Sequence, residues 1–175
     1  MIDRKKAREI TGLTHDALKS DSKAWFRLAS SFNSAAKLLD EFSERIPSDS
    51  RPFIFNAAFS LELLFKSILA KKVIEIPQGT DGHDLKLLSK KAGVVISEKQ
   101  ALTLELMTEE LIWVARYPTP KHPERFNKFY DSILERHLVR SRSGNVYRTL
   151  ANPETFSNSE NYKAIWDAAV IEFEK

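Results

Sequence analysis

The chain has 175 residues, enough for one domain with a substantial core, and its 42% hydrophobic and 29% charged residues are ordinary for a globular protein. It has no cysteine, which excludes a disulfide scaffold and cysteine-based zinc sites and fits a reducing compartment. A net charge of +3 is too small to argue for nucleic-acid binding by itself, so only local clustering of charge carries weight.

Residues 1–20 read as a polar arm with a short helix before Gly12, and 21–175 as one helical domain. A first long helix is expected from about Ser22 to Glu44, with Trp25, Leu28, Ala29, Phe32, Ala35, Ala36, Leu39 and Phe42 at three- and four-residue spacings. Asp21 or Ser22 caps it, and Pro47-Ser-Asp-Ser ends it. A second helix runs from near Pro52 to about Val73 and is apolar almost all round, as expected of the central helix of a bundle. Polar residues therefore stand out on it. Asn56, Ser60 and Ser67 share one stripe; Glu62 and Lys66, four apart, share another between Phe55, Phe59 and Leu69.

Pro77-Gln-Gly-Thr-Asp-Gly reads as a loop, followed by a short helix from about His83 to Lys91. Ser97-x-x-Gln100 is a capping box opening the helix that ends at Arg116. Pro118, Pro120 and Pro123 then break the chain, since each fixes φ and removes a donor. Another helix is expected from about Pro123 to Val139, with a turn at Ser141-Arg-Ser-Gly-Asn145. Ser157-x-x-Glu160 caps a last helix through Tyr162, Ile165, Trp166, Ala169, Val170 and Phe173. Five glycines and seven prolines leave little material for hairpins. The expected fold is an all-α, up-and-down bundle of four to five main helices with a short inserted helix. Trp25, Trp113 and Trp166 lie on apolar stripes and read as core.

Charge concentrates between Arg116 and Arg148. Eight Lys and Arg stand there against Glu124, Asp131 and Glu135, so this stretch is more basic than the whole chain. A guanidinium can hold a phosphate bidentately, and an imidazole can move a proton near neutral pH. Arg116 and His122 set such groups six positions apart, with five residues between them. Each also has a structural reading: Arg116 as a cation at a helix C-terminus, His122 as an exposed loop residue. Arg136, Arg140 and Arg142, with His137 and Tyr147, form a strip able to bind phosphates and stack bases. The four histidines (His15, His83, His122 and His137) show no ligand spacing with carboxylates, and no Gly-rich phosphate loop is visible. No apolar run reaches the roughly 18 residues of a bilayer span. The charged Asp3-Arg4-Lys5-Lys6 start has no apolar stretch behind it and does not read as a secretory signal. A cytoplasmic protein without a membrane partner is expected.

Three motifs occur in order: Phe59-Ser-Leu-Glu62-Leu-Leu-Phe-Lys66, then Gly82-His83-Asp84-Leu85-Lys-Leu-Leu88, then Arg116-Tyr117-Pro118 closing the next helix. Together they resemble the HEPN domain family (higher eukaryotes and prokaryotes nucleotide-binding) in its Arg-Tyr-Pro form. The resemblance covers about residues 22–175, with a basic insertion at roughly 121–150. It implies a bundle with a short helix around His-Asp-Leu, acting as a homodimer and needing no cofactor. Many members are metal-independent endoribonucleases of defence or toxin systems, with a signature of Arg, four to six residues, then His, which Arg116-x5-His122 meets. Tyr117 takes the position next to the Arg that is often polar, and two prolines lie between the pair. Other members, including Arg-Tyr-Pro forms, lack the histidine. They resemble binding modules for a nucleotide, nucleic acid or protein partner such as an antitoxin or a nucleotidyltransferase-like protein. The resemblance makes Arg116 and His122 the catalytic candidates. Glu62, Lys66, His83, Tyr117, Arg125, Arg136 and Arg140 become candidates for holding RNA or a nucleotide. For Glu62, Lys66 and His83 a purely structural pairing is the competing reading.

Overall fold

The computed structural model describes residues 3–45, 51–144 and 146–175. Its helices are α1 (Arg4–Thr11), α2 (His15–Ser20), α3 (Ser22–Glu41), α4 (Arg51–Lys71), α5 (Leu85–Ala92), α6 (Glu98–Glu109), α7 (Pro123–Lys128) and α8 (Ser159–Glu174). The fold is all-α in character, with α4 at its centre against α3, α5 and α8. The expected stop at Pro47-Ser-Asp-Ser lies outside the described residues.

Local chemistry sets most helix starts. Asp21 Oδ1 accepts from Ala24 N at 3.0 Å and opens α3. Asp84 Oδ1 accepts from Leu87 N at 2.9 Å and opens α5. Ser97 and Gln100 form the reciprocal capping box that opens α6. Helix α8 departs from expectation: Asn158, not Ser157, caps it by accepting from Asn161 N at 2.8 Å. Ser157 is drawn away by a tertiary partner, donating to Glu110 Oε1 at 2.6 Å.

The core follows from α4. Leu61, Leu64, Phe65, Ile68 and Leu69 are fully buried there, and each such side chain stabilises by roughly 1.5–3 kcal/mol over leaving it in water. By length and composition α4 could cross a membrane, with mean hydropathy 1.6, contrary to the expectation that no run is long enough. Glu62 and Lys66 interrupt it without lowering the average below that level. In the bundle 67% of this window is buried against neighbouring elements. The polar stripe on α4 is used as well. Tyr162 of α8 donates to Asn33 Oδ1 of α3 at 2.8 Å and meets Ser60 Oγ of α4 at 2.7 Å, tying three helices at a buried point. Two residues past the end of α4, Val73 has a φ of 56°, a left-handed conformation usually left to glycine.

Helix α6 continues into a π-helical segment, Glu110–Val114. A second apolar cluster of Leu106, Trp113, Phe129 and Ile133 docks the following segment onto it. The expected helix from Pro123 to Val139 is not one helix. Helix α7 passes through a π turn (Phe129–Ile133) and a 3-10 turn (Leu134–His137), and the chain then turns into a hairpin. Strands β1 (Leu138–Ser143) and β2 (Val146–Ala151) pair antiparallel, from Leu138 opposite Ala151 to Ser143 opposite Val146. Helical periodicity gives way to alternation at Val139-Arg-Ser-Arg and Val146-Tyr-Arg-Thr-Leu, which suits a strand. Gly144 at φ 61° supplies the left-handed conformation the turn needs, so few glycines suffice.

Candidate functional sites

The polar pair of α4 forms the first site. Glu62 is nearly fully buried, yet both its oxygens are engaged: Lys66 donates to Oε1 at 2.6 Å, and His83 Nδ1 meets Oε2 at 2.8 Å. His83 arrives on the loop between α4 and α5. Gly82 packs so closely there that a Cβ would stand 2.8 Å from the Pro77 carbonyl oxygen. With Glu62 ionised, His83 Nδ1–H is the donor, and Nε2 has no protein partner among the described residues. The Lys66 ammonium also lies 5.9 Å from the centre of the Trp25 ring, within reach of a cation–π contact.

Lys66, His83 and Trp25 line a cavity of about 430 Å³, with Leu18 and Lys19 from α2 and Gln78 from the loop. Three of the expected site residues, Glu62, Lys66 and His83, therefore meet. Trp25 is not a plain core residue but part of this wall. The contributions of His15, Leu18 and Lys19 carry no sequence signal, because nothing in a polar arm says which cavity it will cover.

The second site is the corner after α6. Arg116 and Tyr117 are exposed, and Arg116 Nη2 donates to the Tyr117 hydroxyl at 3.0 Å. The guanidinium carbon lies 5.0 Å from the Tyr117 ring centre and 5.9 Å from that of Phe55. Arg116 has no carboxylate partner among the described residues. Phe55 lies about two turns of α4 before Glu62, so Arg116 sits at a different level of the bundle from the Lys66 cavity. His122 is exposed and precedes α7. Together with Tyr117, Pro118, Pro120, Lys121 and Arg125, it borders a cavity of about 530 Å³ that Arg116 does not line. Tyr117 is the residue both groups share.

The remaining cations of the basic segment divide. Arg125 holds Glu109 with two hydrogen bonds, at 2.7 and 2.9 Å. Arg136 pairs with Glu105 at 2.8 Å, and Arg140 pairs with Glu135 in an exposed contact. Their charge is partly offset, whereas that of Arg116 is not. His137, read as part of the basic strip, is fully buried.

Burial perturbs two groups near this segment. Burial pushes the Glu110 carboxyl up to about 8, opposed by the Ser157 hydrogen bond, and its Oε2 has no hydrogen-bond partner. Burial lowers the pKa of His137, opposed first by the nearby Thr155 backbone, although neither ring nitrogen makes a well-formed hydrogen bond. Sequence reasoning missed Glu110 because an acid one turn from a helix end looks like a surface residue. Among the described residues, no group of three His, Asp or Glu side chains is arranged to hold a metal ion. Comparison with family models, curated proteins and solved structures finds no match to this chain.

Proposed function

We propose that the chain is a HEPN-like cytoplasmic protein that engages RNA at the Arg116–Tyr117–His122 corner and, as a homodimer, cuts it without a metal in a defence or toxin system. The observation that carries this reading is the state of Arg116: an exposed guanidinium without a carboxylate partner among the described residues, bonded to Tyr117, which in turn borders the cavity that the exposed His122 lines. A phosphate is the natural partner for such a group.

In the reaction, the 2′-oxygen of the substrate bonds to phosphorus and the P–O5′ bond breaks. His122 accepts the 2′-hydroxyl proton, and Arg116 offsets charge gathering on the phosphoryl oxygens. One imidazole cannot also protonate the departing 5′-oxygen in the same step. That proton comes from water or from the His122 of a second copy, which gives the dimer a chemical role.

A second reading is a non-catalytic module for a nucleotide, nucleic acid or protein partner, such as an antitoxin or nucleotidyltransferase-like protein. The Arg116 bond to Tyr117, with none to His122, favours it, as does the separate Lys66–His83 cavity. Expression in a growing cell separates the two. The nuclease reading expects growth arrest that Arg116→Ala and His122→Ala each relieve; arrest unchanged in both variants overturns the site assignment.

A further inference from the structure

The β1–β2 hairpin is almost wholly exposed among the described residues. All of β2 is exposed, and each strand packs chiefly on the other. Six residues per strand carry it about 20 Å. Two strands alone are marginally stable in water, and this pair leaves Tyr147 73% and Leu150 59% accessible. Between Leu138 and Ala151 there are three arginines and no acid.

The register sorts these side chains by face. Arg142 lies opposite Tyr147 and Arg140 opposite Thr149, so these four share one face. Val139, Val146, Arg148 and Leu150 fall on the other. On the first face, Arg142 Nε donates to the Gly144 carbonyl at 3.0 Å, and its guanidinium carbon lies 5.1 Å from the Tyr147 ring centre. The aromatic ring is thus steadied by a cation and still open to solvent. Arg140 shares its charge with Glu135 in a pair too exposed to hold it strongly. The hairpin is rooted on the helix that leads to Arg116. Arg136 pairs with Glu105, and that point lies roughly 16 Å along the helix from Arg116.

We propose that this hairpin is an arm that grips single-stranded RNA, with Tyr147 stacking on an unpaired base and Arg140 and Arg142 holding the flanking phosphates. The inference rests on the RNA reading above and extends it to a second contact. An unpaired strand fits better than a duplex: stacking needs a splayed base, and the A-form major groove is too narrow for side chains to read. Arginine beside an open aromatic ring is the combination that single-strand binders use without regard to sequence.

The test is fluorescence anisotropy of a labelled 20-nucleotide oligouridine, 2′-O-methylated so that it cannot be cut, and of a 2′-O-methylated RNA duplex of the same length, each with the full chain across a series of KCl concentrations. Wild type is compared with Tyr147→Ala, Arg140→Ala/Arg142→Ala, Arg148→Ala and Arg116→Ala; thermal midpoints confirm that each variant is folded. Tyr147→Ala is expected to weaken binding roughly 5- to 150-fold with an unchanged salt slope. The double arginine variant should lower the slope of log K against log salt by about 1.4, at roughly 0.7 per lost phosphate contact. Arg148→Ala, on the other face, should do less than either.

Wild-type binding that Arg116→Ala weakens, with the hairpin variants silent, overturns the arm while leaving the RNA reading standing. No binding by wild type removes both. Equal loss of single-stranded and duplex RNA in the arginine variant, with Tyr147→Ala silent, overturns the stacking role. Hairpin variants that change the oligomeric state and leave RNA affinity intact assign the face to a second copy, and also overturn the proposal.

Discussion

Replacing Glu110 by Gln should remove a pH dependence that the wild type carries between pH 6.5 and 9. Glu110 is 4% exposed, one oxygen accepts from Ser157, and the other has no partner. Burial raises its pKa in the folded chain from 4.5 to about 8. Above pH 4.5 the unfolded chain loses this proton while the folded chain keeps it. The unfolded state then binds fewer protons, so stability falls as pH rises, by about 1.4 kcal/mol per pH unit until the folded pKa is reached. His137 acts in the opposite direction below pH 6.5, because its lowered pKa costs stability only where the unfolded imidazole is protonated. From pH 6.5 to 9 the His137 contribution is small and fades, so Glu110 dominates, and the expected wild-type loss across the interval is about 2 kcal/mol. Urea unfolding at pH 6.5, 7.5, 8.5 and 9 measures it, with the dependence on urea concentration held constant as the check on two-state behaviour. Glu110→Gln cannot ionise and should be flat across the same range. A slope in the variant equal to that of the wild type would refute the assignment of a buried, protonated Glu110.

Three further outcomes follow from the packing. Glu62→Ala strands Lys66 at a nearly buried position and should cost about 3–5 kcal/mol in urea unfolding, while Glu62→Leu/Lys66→Met should recover most of that; an alanine cost below 1 kcal/mol would mean that the ammonium is freely hydrated. Gly82→Ala forces a Cβ to within 2.8 Å of the Pro77 carbonyl and should lower stability by about 1–3 kcal/mol, read as a drop in thermal midpoint; an unchanged midpoint would show that the loop gives way. Val73→Gly relieves a side chain held at φ 56° and exposed to solvent, and should raise stability by about 1 kcal/mol; a loss would show that the entropy of glycine outweighs the strain.

What was legible in the sequence was legible for local reasons. Asp21 and the Ser97–Gln100 box announce helix starts because caps act within four residues. Glu62 and Lys66 stand out because charge is costly on a helix with no wet face, and the Gly82-His83 turn supplies the partner that satisfies Glu62. Where distant partners decide, the pattern fails. Ser157 has the spacing of a cap but is taken by Glu110, and Trp25 looks like core until Lys66 and α2 define its cavity. The hairpin was written in the alternation after Val139, but the helical run before it and the scarcity of glycine argued the other way. Arg125, Arg136 and Arg140 all read as free charge; carboxylates on other segments pair with each of them.

Cleavage in the presence of a chelator decides whether the Arg116 corner cuts RNA without a metal. Purified wild type, Arg116→Ala and His122→Ala are incubated with mixed single-stranded RNA in EDTA, and the products are resolved by length and end group. Wild type is expected to leave a 2′,3′-cyclic phosphate and a 5′-hydroxyl, and both variants to lose that cleavage. An intact RNA after incubation with folded wild type, or cleavage that both variants retain, would contradict a metal-independent nuclease at this corner.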